Sequence, residues 1–224
     1  MVNKLILLSI FFSFCMSDIY EYDIDLYGIT VAECIVEIKD TVINNKKEVK
    51  LSYNVKSKNM MKWIYNVDNK YITVIDKNNS QLLYYNKKST QPKVNNIIST
   101  YVNDGKIFYN GTSLEINKNE YNIFSLLYAL RLDPELVMYD KFIVDREGKK
   151  YSGEINSINK STYELELDEL NSRNNGAVEH TDIFSWALFL PDTKKIIEVD
   201  RYRGIIIHCS FKKNFLKFSA RIRE

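Results

Sequence analysis

A short apolar helix is the feature that most restricts how this chain can fold. The segment NEYNIFSLLYALRLDP, residues 119–134, carries apolar side chains at helical spacing in two adjacent stripes: Ile123, Leu126, Leu127 and Leu130, and beside them Phe124 and Tyr128. Asn119 or Asn122 can cap its start, and Pro134 prevents it from continuing. A helix that is apolar around most of its circumference must be covered on most of it. Because one flat sheet covers one side only, a second sheet, the curved wall of a half-barrel or a ligand must cover the rest. The simplest interpretation is that the helix plugs an open barrel end and completes the core.

Most of the remaining chain consists of alternating, strand-like segments. In YEYDIDLYG, residues 20–28, tyrosine and aliphatic side chains alternate with acidic ones, as in a half-buried strand. Gly28 interrupts the alternation, which indicates a bulge or a sharp bend. Asn103-Asp104-Gly105 and Glu147-Gly148 are typical of tight hairpin turns. We interpret IFSWALFLPDTKKIIEVDRYRG, residues 183–204, as strands around a turn at Pro191-Asp192.

Turn signals recur at a spacing of roughly ten residues, which is typical of antiparallel sandwiches and barrels. The 16 tyrosines and 11 phenylalanines also favour strands, because aromatic side chains suit a pleated, half-buried surface. We therefore predict an all-β, mainly antiparallel fold: a strongly curved sheet or open β-barrel with one short helix packed in its concavity. Since no linker or repeat interrupts the pattern, residues 18–224 are predicted to form a single β-rich domain.

The first residues have the pattern of a secretory signal peptide. In MVNKLILLSIFFSFCMS, residues 1–17, Lys4 precedes an apolar run that ends in small residues. The run is about a dozen residues long, too short to cross a bilayer core of about 30 Å. We therefore expect an exported protein of the bacterial periplasm or cell envelope, with no transmembrane segment in the mature chain. Lipidation of Cys15 is an alternative to simple cleavage after Ser17.

The charge pattern does not favour a nucleic-acid partner. The formal net charge is +2, and Lys and Arg are spread along the chain. A nucleic-acid interface needs basic residues clustered on one face. We therefore expect no nucleic acid among the partners of this protein.

Two cysteines, Cys34 and Cys209, remain after the leader is removed. In an oxidising compartment they can form a disulfide, which requires that the first and last strands of the fold meet. The simpler interpretation is that both are small buried apolar residues. The spacing alone does not decide between these interpretations.

Residues that could perform catalysis or bind a metal are few. The chain has two histidines, His180 and His208. His208 is next to Cys209, but adjacent residues of a strand point to opposite faces of the sheet. The sequence has no Gly-x-Ser-x-Gly motif, no phosphate-binding loop and no zinc-type cysteine cluster. We therefore predict no catalytic residue, no metal site and no cofactor, and a protein that is not an enzyme.

The leader and four later segments together resemble the exported bacterial family called domain of unknown function 3108. These segments are YDIDLYGITVAEC, NIFSLLYALR, WALFLPDTKKIIEVD and GIIIHCSF. In the family's motifs, Ser125, Tyr128 and Arg131 match the helix, and Trp186 and Asp192 match a Trp-led hairpin. The sequence departs from those motifs at three positions: Ala32, Asn122 and Ile197. The resemblance implies an exported, strand-rich protein, and it implies no activity.

A strand-rich layout with a single helix is also similar to that of periplasmic lipoprotein carriers, whose curved sheets hold acyl chains. On this analogy, the first hypothesis is a carrier of an apolar or lipid-like ligand. The predicted ligand-binding residues are Ile123, Phe124, Leu127, Tyr128, Arg131 and Trp186. Arg131 either binds an anionic head group at a cavity mouth or simply offsets the dipole at the end of the helix. The alternative function is a structural or adaptor protein of the cell envelope that acts through protein–protein contacts.

Overall fold

The structure is a computed structural model that describes residues 17–43, 46–109, 112–116, 119–170 and 182–224. Nearly all of the predicted leader, including Cys15, lies outside the described residues, and so does His180. In these ranges, fifteen strands form one sheet with three short helices beside it.

The bounds of the strands are β1 Ser17–Leu26, β2 Ile29–Ile43, β3 Lys46–Ser57, β4 Asp68–Asp76, β5 Leu82–Gln91, β6 Val94–Asn103, β7 Lys106–Tyr109, β8 Thr112–Glu115, β9 Glu120–Tyr121, β10 Phe142–Arg146, β11 Lys149–Asn159, β12 Thr162–Glu169, β13 Lys194–Asp200, β14 Ile205–Lys213 and β15 Leu216–Ile222. The helices are α1 Ile123–Leu132, α2 Glu135–Met138 and α3 Ile183–Leu188.

The strand order confirms the predicted fold class. From one end to the other the order is β8-β7-β6-β5-β4-β3-β2-β1-β15-β14-β13-β12-β11-β10-β9. Every neighbouring pair is antiparallel except β9 and β10, which are parallel. The first and last strands pair in the middle of the sheet, where Tyr22 lies opposite Ile222. The sheet is strongly curved and does not close into a complete barrel.

Two of the predicted hairpin turns are confirmed. Asp104 and Gly105 both have positive φ, 48° and 71°, and connect β6 to β7. Glu147 and Gly148 have φ of 56° and 93° and connect β10 to β11. Positive φ at both central residues matches the right-handed twist of the flanking strands, which is why Asp-Gly favours such turns.

Of the two interpretations of Gly28, a bulge or a sharp bend, the bulge was wrong. Tyr27 and Gly28 have φ of 54° and 82° and form the turn of the β1–β2 hairpin. The bulge lies earlier in β1, between Ile24 and Asp25. A two-residue turn and a bulge both interrupt the alternation, so the pattern alone does not separate them.

The interpretation of residues 183–190 as a strand was also wrong, because residues 183–188 form α3. The Asp182 carboxylate accepts backbone hydrogen bonds from Phe184 and Ser185, both at 3.0 Å. These bonds cap the first turn of the helix. The strand hairpin that follows is β13–β14, and it begins after Pro191-Asp192.

Helix α1 lies between two halves of the core, as its apolar circumference requires. Tyr128 belongs to the half formed by the β1–β7 wall, and Phe124 packs against the same half. Leu126 and Leu130 belong to the other half, which is formed by α2 and the β10–β13 wall. The curved sheet therefore covers the helix on opposite sides, and the predicted position of α1 in the concavity is confirmed.

Side chains connect the two ends of the curved sheet. The Tyr109 hydroxyl on β7 donates a hydrogen bond to the Asp145 carboxylate on β10. The Lys87 ammonium on β5 pairs with Glu147 in the β10–β11 turn. All four side chains are buried. Polar contacts in a buried site therefore join the two ends where backbone pairing does not.

Candidate ligand-binding cavity

An apolar cavity of about 220 Å³ lies beside α1. Its walls are α1, the sheet formed by β1–β4, the strands β12–β15 and helix α3. For comparison, an engineered apolar cavity of about 150 Å³ is large enough to bind benzene. The space can therefore hold part of a small apolar molecule or a segment of an alkyl chain.

Three of the predicted ligand-binding residues, Ile123, Phe124 and Leu127, line this cavity from α1. The Phe124 ring packs against Tyr53 and Tyr71, with ring centroids 4.6 Å and 5.0 Å apart. Such tilted aromatic pairs have defined geometry and hold the ring in place. The α1 side of the cavity is therefore a preformed apolar surface.

The start of α1 is held by a reciprocal cap. The Asn122 side chain accepts a hydrogen bond from the Ser125 backbone at 2.8 Å, and the Ser125 hydroxyl accepts one from the Asn122 backbone at 3.0 Å. The Asn122 amide also donates to the Thr73 hydroxyl on β4 at 3.1 Å. Asn122 is thus the cap, rather than Asn119, and it joins the helix to the sheet wall.

The opposite wall carries the two cysteines, Cys34 on β2 and Cys209 on β14. Both are free thiols in the structure. Strands β1 and β15 separate β2 from β14. Three strand spacings of about 4.8 Å exceed the roughly 7 Å that the Cα atoms of a disulfide can span, so this sheet order does not favour a bridge.

Burial raises the pKa of each of these thiols to about 12. Because the thiolate is the reactive form, both cysteines remain protonated and unreactive near neutral pH. The nearby Tyr22 hydroxyl donates a hydrogen bond to the Ile206 carbonyl at 2.7 Å. Burial also raises the pKa of Tyr22. This wall therefore offers apolar contact without an ionised nucleophile or base.

Helix α3 covers one end of the cavity with Phe184, Ser185 and Leu188. The carboxylate of Asp182, which caps this helix, pairs with the buried Lys87 ammonium at 3.3 Å. Sequence reasoning missed this helix as part of the site. The signal that could have found it is an aspartate directly before an apolar run, which is a common start of a helix.

One charged side chain, Lys195 on β13, also lines the cavity. It is buried, and its ammonium group donates a hydrogen bond to the Thr193 carbonyl at 2.9 Å. Burial lowers the pKa of Lys195. Lys195 was not predicted as a site residue, because a lysine in an alternating strand is normally expected on the solvent face.

The other three predicted ligand-binding residues do not line the cavity. Tyr128 is buried against the sheet wall, and Trp186 is 45% exposed on α3. Arg131 lies one helical turn beyond Leu127, with its guanidinium group over the Tyr128 ring at 5.2 Å and 4.0 Å from the Asp18 carboxylate. These contacts are those of a residue that packs at the end of a helix.

Other chemistry is sparse in the described residues. No group of three or more His, Cys, Asp or Glu side chains in this part of the chain is arranged to hold a metal ion. His208 contacts Glu198 at 3.2 Å and is not among the cavity-lining residues, whereas Cys209 lines the cavity. None of the helices in the described ranges has the length and apolar character that crossing a bilayer requires.

Comparison with known proteins places the fold in a class of barrel-like proteins. The chain is similar to a beta-barrel-like protein of domain of unknown function DUF1849 from Brucella abortus, with a TM-score of 0.50 and 8% sequence identity. The likeness covers 93% of this chain and 95% of the other. No family model and no curated protein matches the chain. At this level of identity the likeness supports the β-barrel-like architecture and no more.

Proposed function

We propose that this protein is a non-catalytic binding protein or carrier for an apolar or lipid-like ligand. The single observation that carries the proposal is the apolar cavity of about 220 Å³ between α1, α3 and the curved sheet. Close packing is the rule in protein interiors, so an apolar space of this size is a feature that requires an explanation. Apolar pockets with a few polar groups are the usual form of small-molecule sites.

The cavity can bind an apolar ligand by burying the apolar surface of that ligand. A ligand segment that buries about 200 Å² there gains about 5 kcal/mol at ~25 cal/mol per Å², before the entropic cost of association. The rigid wall formed by Phe124, Tyr53 and Tyr71 lowers that cost, because these side chains are already ordered. Both thiols that line the cavity stay protonated, and the amine of Lys195 is engaged by the Thr193 carbonyl. Binding alone is therefore the function that this site supports best.

The proposal includes an exported location. The pattern of residues 1–17 supports a periplasmic or envelope location, and a ligand of lipid-like chemistry is abundant there. Membership of the exported family called domain of unknown function 3108 belongs to the same proposal and is supported by the segments that resemble it.

The test uses protein that lacks residues 1–17 and a fluorescent fatty acid as the probe. Leu127→Trp places a larger side chain in the cavity, whereas Leu132→Trp makes the same change at an exposed position of α1. We expect Leu127→Trp to weaken probe binding by about tenfold or more, which corresponds to about 1.4 kcal/mol, and Leu132→Trp to leave it unchanged. Native mass spectrometry of the purified protein reports any lipid that copurifies.

Circular dichroism checks that the sheet is intact in each variant. If Leu127→Trp does not fold, Ala220→Phe fills the same cavity from β15. Probe affinity that is equal in wild type and in a folded, cavity-filled variant contradicts the carrier proposal. In that case the adaptor function, with contacts to envelope proteins, becomes the better hypothesis.

A further inference from the structure

The turns and loops at one end of the central strands carry several large apolar side chains that are exposed to solvent; this end of the strands is called the edge below. These side chains belong to the turn 27–28, the loop 58–67 and the turn 214–215, and we refer to them together as the apolar rim: Tyr27, Met60, Trp63, Ile64 and Phe215. Trp63 is 94% exposed and Phe215 is 84% exposed. Single exposed apolar residues are ordinary, whereas a group of them on neighbouring loops usually marks an interaction site.

The three segments lie next to one another because of strand order. Strands β4, β3, β2, β1, β15 and β14 are consecutive neighbours in the sheet, and each segment joins the ends of two of these strands on the same side of the sheet. The Lys58 backbone donates a hydrogen bond to the Val31 carbonyl at 2.9 Å, and the Tyr27 backbone donates to the Lys217 carbonyl at 3.1 Å. The apolar rim is therefore one continuous feature of the fold.

Backbone hydrogen bonds hold the most exposed loop in place. The Met61 backbone donates to the Lys58 carbonyl at 2.8 Å, and the Tyr65 backbone donates to the Met61 carbonyl at 2.8 Å. The Ser57 hydroxyl donates to the Tyr65 carbonyl at 2.8 Å and closes the base of the loop. Trp63 is thus presented to solvent by an ordered turn.

The charges within the three segments of the apolar rim have one sign. Segments 27–31, 58–67 and 212–217 together contain five lysines and no Asp or Glu. Lys58 is partly neutralised by Glu33 at 2.9 Å, whereas Lys62, Lys212 and Lys217 are exposed. Exposed aromatic and aliphatic side chains surrounded by lysines match the chemistry of an anionic membrane surface, where rings sit at head-group depth and ammonium groups contact phosphates.

We propose that the apolar rim docks on the surface of an anionic lipid bilayer. The proposal rests on the carrier function, because the cavity lies directly behind the same edge. Phe211 lines the cavity and precedes Phe215 by four residues on the same hairpin, and Ile24 and Val55 line it near the strand ends that lead into the rim. Docking at this edge places the cavity next to the source of a lipid-like ligand.

The test is co-sedimentation with vesicles made of equal parts phosphatidylcholine and phosphatidylglycerol, with phosphatidylcholine vesicles in parallel. The perturbed protein is Trp63→Ser combined with Ile64→Ser. The matched control is Tyr202→Ser, because Tyr202 is 100% exposed and lies in the turn at the other end of β14. We expect the double variant to lose at least about tenfold in partition to the mixed vesicles, and the control to match wild type.

The charge contribution is tested separately with Lys62→Gln and Lys217→Gln. Each lysine near an anionic surface contributes about 1 kcal/mol, so each substitution should lower partition about fivefold. Added salt should weaken the binding of wild type for the same reason. In a Trp186→Phe background, the Trp63 emission should shift to shorter wavelength when mixed vesicles are added, because the indole leaves water.

Each outcome supports or overturns the proposal. Equal partition of wild type and the double variant, or binding that ignores phosphatidylglycerol, contradicts docking on an anionic bilayer. Concentration-dependent dimerisation that the double variant abolishes, without vesicle binding, assigns the rim to a second copy of the chain instead. The fatty-acid assay in solution separates the two proposals: normal probe binding without vesicle binding refutes docking alone, and vesicle binding without probe binding refutes the carrier alone.

Discussion

Substitution of the buried Lys87 by methionine tests how the curved sheet is held together around the cavity. Lys87 is 0% exposed, and its ammonium group lies between the carboxylates of Glu147 and Asp182. Glu147 belongs to the far end of the sheet, and Asp182 caps α3 at the cavity. One cation therefore links β5 to both the β10–β11 hairpin and the helix that covers the cavity.

The size of the effect follows from the burial of the partners. Methionine fills a similar volume, so the main loss is the charge. Removal of one member of a buried ion pair costs about 3–5 kcal/mol, because the remaining charges are left uncompensated. Here two carboxylates lose the same cation, so we expect the free energy of unfolding to fall by at least about 3 kcal/mol. The matched control Lys88→Met removes an exposed lysine from the next position of β5 and should change stability by less than about 0.5 kcal/mol.

The pH dependence of the loss provides a second criterion. Burial raises the pKa of Asp182, but the Lys87 ammonium and hydrogen bonds from Ser185 outweigh it and hold that pKa below its ordinary value. Burial raises the pKa of Glu147 despite Lys87. Without Lys87 both pKa values rise, and a raised carboxyl pKa in the folded state favours folding at low pH and disfavours it as pH rises. The stability difference between wild type and Lys87→Met should therefore be larger at about pH 7 than at about pH 4.

The assay is urea unfolding followed by circular dichroism at several pH values, together with probe binding at each. Glu147→Gln added to Lys87→Met removes one uncompensated charge and should restore part of the stability. A loss no larger than that of Lys88→Met, or a loss that grows as pH falls, would falsify this account of the cluster.

Two further predictions concern α1 and the end-to-end contact of the sheet. Asn122→Ala removes the cap of α1 and the contact with Thr73. Urea unfolding should show a loss of about 1–2 kcal/mol in the free energy of unfolding, and the fatty-acid probe should bind more weakly. Unchanged values would contradict the role of the cap. Burial raises the pKa of Asp145 from its ordinary 3.8 to about 6, even though Tyr109 donates a hydrogen bond to it. Because the pKa of Asp145 is raised on folding, the protonated carboxyl group stabilises the fold below about pH 4. This stabilisation amounts to at most about 3 kcal/mol and is lost as pH rises through about 6. Asp145→Asn should lack this pH dependence. If the free energies of unfolding of wild type and variant change with pH in the same way across that range, the raised pKa of Asp145 does not contribute to stability.

The sequence predicted the parts of this fold that depend on local patterns. Alternation of apolar and polar residues identified strands, and Asp104-Gly105 and Glu147-Gly148 identified turns because few residue types accept positive φ. The apolar circumference of α1 implied a concave surface, because a helix cannot leave several large apolar side chains in water. Three cavity residues followed from the same argument: Ile123, Phe124 and Leu127.

Local patterns gave wrong predictions where one pattern is compatible with two different structures. Residues 183–188 are a short apolar run, which suits a buried strand or a helix equally, and the ion pair between Asp182 and Lys87 helps to hold the helix. The sequence led to no prediction for Lys195, and in the structure its buried ammonium group donates a hydrogen bond to the Thr193 carbonyl. Arg131 was expected at a cavity mouth and Trp186 on a Trp-led hairpin beside the ligand, but neither residue lines the cavity.

What the sequence by itself determined is therefore the class of the fold and the need for an enclosed helix, because both follow from the burial of apolar side chains at short spacing. The tertiary structure alone decided where β1 meets β15, which distant side chains join the two ends of the sheet, and where space remains beside α1. These features depend on contacts between residues far apart in the chain, such as Lys87 and Asp182, and on how completely side chains fill a curved wall. Local periodicity contains no information on either.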